Sequence, residues 1–203
     1  MDNEAEYQQK YQTYSDYILN NLDDFIEAVN DTFSAAKEKL KPWLIKLIAD
    51  EASDKDLKHY EWDPESEDGA WFDHSGHLKK IGDIDLNESI LSFLEEYTGE
   101  WYPTYESGRG KEWQTVEDSI SQDTIEKAEI IMTGAVKNLL KERFPGEDIT
   151  EEGLHYCDEW HDRVYDDCPA YDFFCVQGAL EYVGISADTT VRDIIELAGQ
   201  QKK

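Results

Sequence analysis

Apolar residues recur every three or four positions along most of the chain, and this spacing predicts amphipathic helices. The longest stripe runs from about Thr115 to Arg143, where basic residues near the end suit the negative end of the helix dipole. In chain order, the predicted helices cover residues 4–21, 23–36, 42–48, 87–99, 115–143, 150–165, 173–184 and 189–199. The pattern therefore predicts a mainly α protein, a bundle-like domain of seven or eight helices.

Prolines, glycines and capping side chains indicate where these helices begin and end. Pro42 stands where a first helical position would fall, so we expect a new helix to start there. We expect Asn87 to cap the helix that follows it and Gly99 to end that helix. Thr150 is expected to open a continuous helix that reaches Tyr165.

Two stretches lack helical periodicity and are rich in aromatic residues. Residues 60–85 contain Asp-Pro, Asp-Gly and Ser-Gly turn signals, and we interpret them as an ordered aromatic loop with a short β-hairpin. Residues 101–113 are interpreted as a second aromatic loop, with a flexible Gly-Arg-Gly sequence. A domain boundary there would separate an N-terminal helical lobe with an acidic loop, residues 1–108, from a C-terminal helical lobe, residues 109–203. One continuous domain is the alternative.

The charge of the chain limits the classes of function that the protein can have. Forty-seven acidic residues against 19 basic ones give a net charge of −28, which excludes a basic nucleic-acid-binding surface. With 39% hydrophobic and 12% aromatic residues, the chain can fill a core, unlike acidic disordered chains. At one charge per ~1.7 Å, its net charge equals that of roughly 48 Å of duplex DNA, about the long dimension of such a protein. Solubility or adaptation to high salt is the plain alternative.

Acidic residues are interleaved with large aromatic residues in three segments, unlike the residues of solvated charged tails. We therefore predict a surface on which carboxylates steer a basic protein and aromatic side chains anchor it. The predicted partner-binding residues are Glu61, Asp63, Glu65, Glu67, Asp68, Glu95, Glu96, Glu100, Trp101, Tyr102, Tyr105, Glu106, Asp158, Glu159, Asp162, Asp166 and Asp167. For the three aromatic residues among them, a place in the core is an equally good interpretation.

Motifs for catalysis or metal binding are weak. Glu152 with His155, and Asp158 with His161, have the carboxylate–histidine spacing of di-iron sites. Both pairs fall on one predicted helix, however, where the two histidines would lie on different faces. Cys157 could share a zinc ion with His161, but the tight cysteine pairs of zinc sites are missing from the sequence. We therefore predict no metal, no other cofactor and no enzymatic activity, with a helical metal-dependent enzyme as an alternative.

The cysteines indicate the compartment. The chain has an odd number of cysteines, Cys157, Cys168 and Cys175. Its N-terminal residues are acidic and polar, unlike those of a signal peptide. No run of residues approaches the ~18 apolar residues of a membrane span. We therefore expect free thiols in a reducing cytoplasm, the host cytoplasm if a phage encodes the chain. Cys157 and Cys175 are interpreted as small buried apolar residues.

In charge and helical composition, the chain is similar to the nucleic-acid-mimic inhibitors that phages and mobile elements direct against restriction or CRISPR enzymes. This resemblance implies an anti-CRISPR or anti-restriction inhibitor whose partner is a basic nuclease. We therefore predict that the chain binds neither nucleic acid directly nor a membrane. The chain also resembles acidic immunity proteins that block basic nuclease toxins, so one dedicated basic protein partner is the alternative. Homodimer formation is left open.

Overall fold

The computed structural model describes residues 2–62, 78–103, 111–156 and 159–202. The helices among them are α1 (Asp2–Asn20), α2 (Leu22–Ala52), α3 (Ile90–Glu96), α4 (Val116–Arg143), α5 (Glu151–Tyr156), α6 (Glu159–Tyr165), α7 (Val176–Tyr182) and α8 (Val191–Gln200), with a 3-10 helix at Pro169–Phe174. The strands are β1 (Lys58–Trp62), β2 (Leu78–Gly82), β3 (Tyr97–Pro103) and β4 (Lys111–Thr115). The prediction of a mainly α protein is confirmed, and a small sheet is added to it.

The strands form one antiparallel sheet in the order β2-β1-β3-β4. Strands β1 and β2 pair with each other, within the part of the chain where a hairpin is predicted. Strands β3 and β4 pair with Trp101 opposite Trp113, so the prediction that residues 101–113 form a loop is wrong at both of its ends. Aromatic side chains pack well on the pleated surface of a sheet. Strand β3 also pairs with β1, which lies some forty residues earlier in the chain.

Helix α2 runs through Pro42 without ending, contrary to the expectation that this proline starts a new helix. A proline inside a helix costs about 3 kcal/mol, largely through a lost hydrogen bond. Leu40, Leu44 and Ile48 are all buried around it, and burying each such side chain stabilises the fold by about 1.5–3 kcal/mol. This burial outweighs the cost of the proline. Although α2 has 31 residues, neither it nor any other described helix has the length and apolar character needed to cross a membrane.

Helix α3 begins and ends elsewhere than predicted. Its N-cap is Ser89, whose hydroxyl accepts a hydrogen bond from the Ser92 N–H, and not Asn87. The helix ends at Glu96 because the chain passes directly into β3. Gly99 consequently lies within that strand and ends no helix.

Within the helix predicted over residues 150–165 the structure describes α5 and α6, and residues 157 and 158 between them lie outside the described residues. Thr150 does open α5, because its hydroxyl accepts a hydrogen bond from the Gly153 N–H. The indole N–H of Trp160 donates to the Leu154 carbonyl at 3.2 Å, which ties α6 to α5.

The chain divides into two compact units, and neither is continuous in sequence. Unit 1 consists of residues 1–38 and 123–182, and unit 2 consists of residues 39–122 and 183–203. The lobe boundary predicted at residues 108 and 109 lies outside the described residues and stays a prediction.

Unit 1 has an aromatic core in which α1 packs against α5 and α6. Tyr11 is buried, and its hydroxyl lies 3.0 Å from the Thr150 hydroxyl. Phe33 of α2 contacts the rings of Phe173 and Tyr182. These contacts join helices that are more than a hundred residues apart in sequence.

Unit 2 places α3 against the sheet, where it contacts β4. The rings of Phe93 and Tyr97 are both buried, with centroids 5.3 Å apart. Helix α8 begins with a capping box in which Thr190 and Asp193 each satisfy a backbone N–H of the other. Capping contacts of this kind hold the short helices of the unit in place.

Candidate functional site

The 17 predicted partner-binding residues fall into three groups. Those outside the described residues are Asp63, Glu65, Glu67, Asp68, Tyr105, Glu106 and Asp158. Those placed in strand β3 are Glu100, Trp101 and Tyr102, and their role as partner contacts stays a prediction. Those with exposed side chains are Glu61, Glu95, Glu96, Glu159, Asp162, Asp166 and Asp167.

Two of the exposed carboxylates in unit 2 have a lysine or histidine as neighbour. Glu61 lies opposite Lys79 in the antiparallel pair of β1 and β2. A carboxylate oxygen of Glu96 lies 3.6 Å from Nε2 of His59. Lys79 offsets part of the negative charge that the sequence indicates for this region.

Glu95, at the end of α3, lies near other acids. It is close enough to Glu117, in the first turn of α4, for its charge to affect that side chain. Burial, followed by the charges of Glu95 and Asp118, raises the pKa of the Glu117 carboxyl. The three carboxylates make a small acidic cluster on unit 2.

Helix α6 and the residues directly after it carry the best-formed group of predicted residues. Their exposed residues, here called the α6 acidic face, are Glu159, Asp162, Asp166 and Asp167. Trp160, Val164 and Tyr165 are buried on the opposite side of the helix. Glu159, Asp162 and Asp166 follow one another at spacings of three and four, the spacing that places side chains on one helix face, and Asp167 is the exposed residue directly after them. Arg163 is the one lysine or arginine between residues 159 and 167.

Sequence reasoning missed a second group of acids in unit 1. They line a cavity of about 190 Å³, here called the acidic cavity, which is formed by Glu126, Glu129, Ile130 and Thr133 of α4 with Glu151 and His155 of α5. The signal was present in the sequence, because positions 126, 129, 130 and 133 recur at helical spacing. The buried apolar residues of the same helix give a stronger periodic signal, and the pattern of the acids is easily overlooked beside them.

His155 and His161 lie closer together than the sequence predicts, with ring centroids 6.4 Å apart. They lie on α5 and α6, and because residues 157 and 158 lie outside the described residues, the prediction that one helix carries both stays a prediction. Within the ranges that the structure covers, no three His, Cys, Asp or Glu side chains are placed to hold a metal ion. Cys157 and Asp158 lie outside those ranges, and the expected absence of a metal stays a prediction.

The two described cysteines, Cys168 and Cys175, are free thiols. Cys175 is exposed, so its interpretation as a buried apolar residue is wrong. It lies just before α7, where its sulfur accepts a hydrogen bond from the Gly178 N–H at 3.3 Å. Cys168 is buried, and burial raises the pKa of its thiol. A protonated thiol is a poor nucleophile, so burial lowers the reactivity of Cys168.

Unit 1 also contains a larger, open cleft whose lining differs from that of the acidic cavity. Its volume is about 660 Å³, and its walls include Tyr7, Tyr14 and Phe144. The Lys10 ammonium lies 3.0 Å from the Glu147 carboxylate and holds the pKa of that carboxyl below its usual range. Glu6 also lines the cleft, so its wall holds two carboxylates against one ammonium, a smaller excess of negative charge than on the α6 acidic face.

The net charge is divided unevenly between the units. Unit 1 has 24 acids against seven bases, a net charge of −17, while unit 2 has 23 acids against 12 bases, a net charge of −11. Three of the seven bases of unit 1, Lys10, Lys137 and Arg143, already form ion pairs within it. Unit 1 therefore has few cations left to offset its surface.

No protein-family model matches the chain, and neither a curated protein nor a solved structure is significantly similar to it. Its function is therefore inferred from its own residues and charges.

Proposed function

We propose that the protein is a non-enzymatic inhibitor that binds the basic nucleic-acid channel of a defence nuclease, of the anti-CRISPR or anti-restriction type. Its carboxylates would take the places of nucleic-acid phosphates. The observation that carries this proposal is the α6 acidic face, a set of exposed carboxylates on and directly after a helix that also carries three buried side chains.

The buried side of α6 is firmly held. Trp160 is 1% exposed, and its indole N–H is hydrogen-bonded to the Leu154 carbonyl. Tyr165 packs on Phe174 with ring centroids 4.2 Å apart. A charged surface on a packed helix is ordered before it binds, so less entropy is lost on association than with a flexible acidic tail.

The spacing of the charges is of the right order for phosphate mimicry. Side chains three and four apart on a helix have Cβ atoms about 5–6 Å apart. Phosphates on one strand of duplex DNA recur about every 3.4 Å along the axis. A groove of lysine and arginine side chains that binds the phosphates would meet a comparable density of negative charge on α6.

Electrostatic attraction of this kind predicts fast association that weakens with salt, because ions screen charges over about 8–10 Å at physiological ionic strength. The first experiment is a binding assay against purified restriction and CRISPR nucleases. Affinity should fall about tenfold or more between about 50 and about 300 mM NaCl. Affinity that does not change with salt would rule out electrostatic mimicry.

Two charge-matched variants test the α6 acidic face itself. The first carries Glu159→Gln, Asp162→Asn, Asp166→Asn and Asp167→Asn. The control carries Asp23→Asn, Glu27→Gln, Asp31→Asn and Glu38→Gln, which removes four exposed carboxylates from α2 of the same unit. The first variant should lose most of its binding and the control little. Equal losses would show that total charge matters and that the face does not.

Competition with duplex DNA separates the proposal from its main alternative. A nucleic-acid mimic is displaced from the nuclease as the concentration of DNA rises. An immunity-type protein that binds a basic partner away from its nucleic-acid channel is not displaced. Binding that persists at saturating DNA would therefore favour that alternative.

A further inference from the structure

The acidic cavity holds more negative charge than its own surroundings neutralise. Glu151 forms an ion pair with Lys137 at 3.1 Å. In the described part of the chain, no ion pair involves Glu126 or Glu129, which are one helical turn apart on α4. Two carboxylates in the wall of this cavity are thus without a cationic partner.

A buried polar group in the same cavity also lacks a partner. Thr133 lines the cavity and is 2% exposed, and its hydroxyl makes no hydrogen bond with any described residue. An unsatisfied buried hydroxyl costs about 1–3 kcal/mol. The cavity wall therefore offers one buried hydroxyl and two carboxylates to a hydrogen-bond donor.

The remaining walls of the cavity are an aliphatic side chain and a flat ring. Ile130 is 66% exposed beside the carboxylates, and His155 lies across from it on α5. The acids do not converge closely enough to form a metal site among the described residues. A larger cation with an apolar stem, a planar charged group and several donors suits these walls better.

Arginine has this combination of properties. Its guanidinium presents five N–H donors in a plane and has no acceptor, so it needs acceptors such as carboxylates and hydroxyls. It stacks on flat rings, and its methylene stem covers apolar surface such as that of Ile130. Lysine presents a compact point charge with three donors and would leave more of the acceptors unsatisfied.

We propose that the acidic cavity, lined by Glu126, Glu129, Ile130, Thr133, Glu151 and His155, binds an arginine side chain of the basic partner. This rests on the proposed function for the identity of the partner. The cavity is a binding site of its own, since none of its lining residues belongs to the α6 acidic face. It would seat one specific side chain, while the face attracts the partner as a whole.

The test uses the full chain, labelled at the isoleucine methyl groups and the histidine rings for NMR. n-Butylguanidinium should cause saturable shifts at Ile130 and His155. n-Butylammonium should bind about threefold or more weakly, because it makes fewer hydrogen bonds. n-Butylurea, which is neutral, and MgCl₂ at the same ionic strength should give no saturable shift. Equal binding of butylammonium, saturable binding of Mg²⁺ or a lack of butylguanidinium binding would each overturn the proposal.

Variants locate the site. Glu129→Gln should weaken butylguanidinium binding about tenfold, the effect of one lost charge-assisted hydrogen bond. Thr133→Val keeps the shape of the side chain and removes its unsatisfied hydroxyl, so it should weaken binding about twofold to fivefold while the protein becomes no less stable. Glu142→Gln removes an exposed charge elsewhere on α4 and should have almost no effect. If Glu142→Gln weakens binding as much as Glu129→Gln, the cavity is not the site.

The outcome is separable from that of the proposed function. If butylguanidinium binds but no basic nuclease does, the proposal for the cavity holds and the proposed inhibitor function is wrong. Salt-sensitive nuclease binding that Glu129→Gln and Thr133→Val do not weaken, with no butylguanidinium binding, would overturn the cavity alone.

Discussion

Gly153 lies where α5 approaches α1 too closely for any side chain. A Cβ atom built on Gly153 would overlap the ring of Tyr11. That ring cannot move aside easily, because Tyr11 is buried and its hydroxyl both contacts the Thr150 hydroxyl and accepts a hydrogen bond from the Thr150 N–H at 3.2 Å. We therefore expect Gly153→Ala to destabilise unit 1.

The magnitude follows from three contributions. Inserting a methyl group into a packed interior costs about 1–3 kcal/mol. Displacement of the Tyr11 ring would break two hydrogen bonds to Thr150, at about 1 kcal/mol each. Alanine gains up to about 1 kcal/mol over glycine in a helix. The free energy of unfolding should fall by about 2–4 kcal/mol.

Urea denaturation followed by circular dichroism measures this change. Gly134→Ala is the matched control, because Gly134 is a helical glycine of the same unit with open space around its Cβ position. The control should raise the free energy of unfolding by about 0.5–1 kcal/mol. In a Tyr11→Leu background, the cost of Gly153→Ala should largely vanish, since the overlapping ring is gone. A Gly153→Ala protein as stable as the control would refute the close packing of α1 on α5.

Two further predictions concern unit 2. Thr190→Ala removes the capping box of α8 and should lower the free energy of unfolding by about 1 kcal/mol in urea denaturation, while Thr189→Ala should have little effect. Tyr97 donates a hydrogen bond to the Asp83 carbonyl, and burial raises the pKa of its hydroxyl from 10.0 to about 12. Its contribution to stability should be complete below pH 10 and decline as the pH rises to about 12. In Tyr97→Phe, the free energy of unfolding should decline less steeply as the pH rises from 10 to about 12. An unchanged slope would contradict the assignment of this effect to Tyr97.

The longest uninterrupted helices, α1 and α4, were predictable because the spacing of their apolar residues specifies them. The stripe of α4 and the aromatic stripe of α1 each predict one long helix, and both helices form. The prediction at Pro42 is wrong because the burial of apolar side chains on both sides of this proline outweighs its local preference for the start of a helix. The sheet was harder to predict, because β3 pairs with a strand about forty residues earlier, and a single sequence shows nothing of that pairing.

The candidate site was predictable where charge and helix periodicity coincide. The α6 acidic face follows from acids at helical spacing opposite Trp160 and Val164. The acidic cavity does not follow, because it needs Glu129 of α4 and Glu151 of α5 to meet in space, which the spacing within either helix does not show. His155 of α5 likewise lies near His161 of α6. Tertiary contacts between distant segments, and not the composition of any one segment, create this site.

The uneven charge of unit 1 links its stability to the proposed partner. A net charge of −17 on fewer than a hundred residues opposes the compact state, because like charges repel one another. The aromatic core supplies the burial that holds the unit together in spite of this repulsion. A basic partner that binds the folded unit would relieve the repulsion and stabilise the unit by mass action. The carboxylates that strain the free protein would thus become its main source of binding energy, which is a physical reason for a folded protein to carry them in such excess.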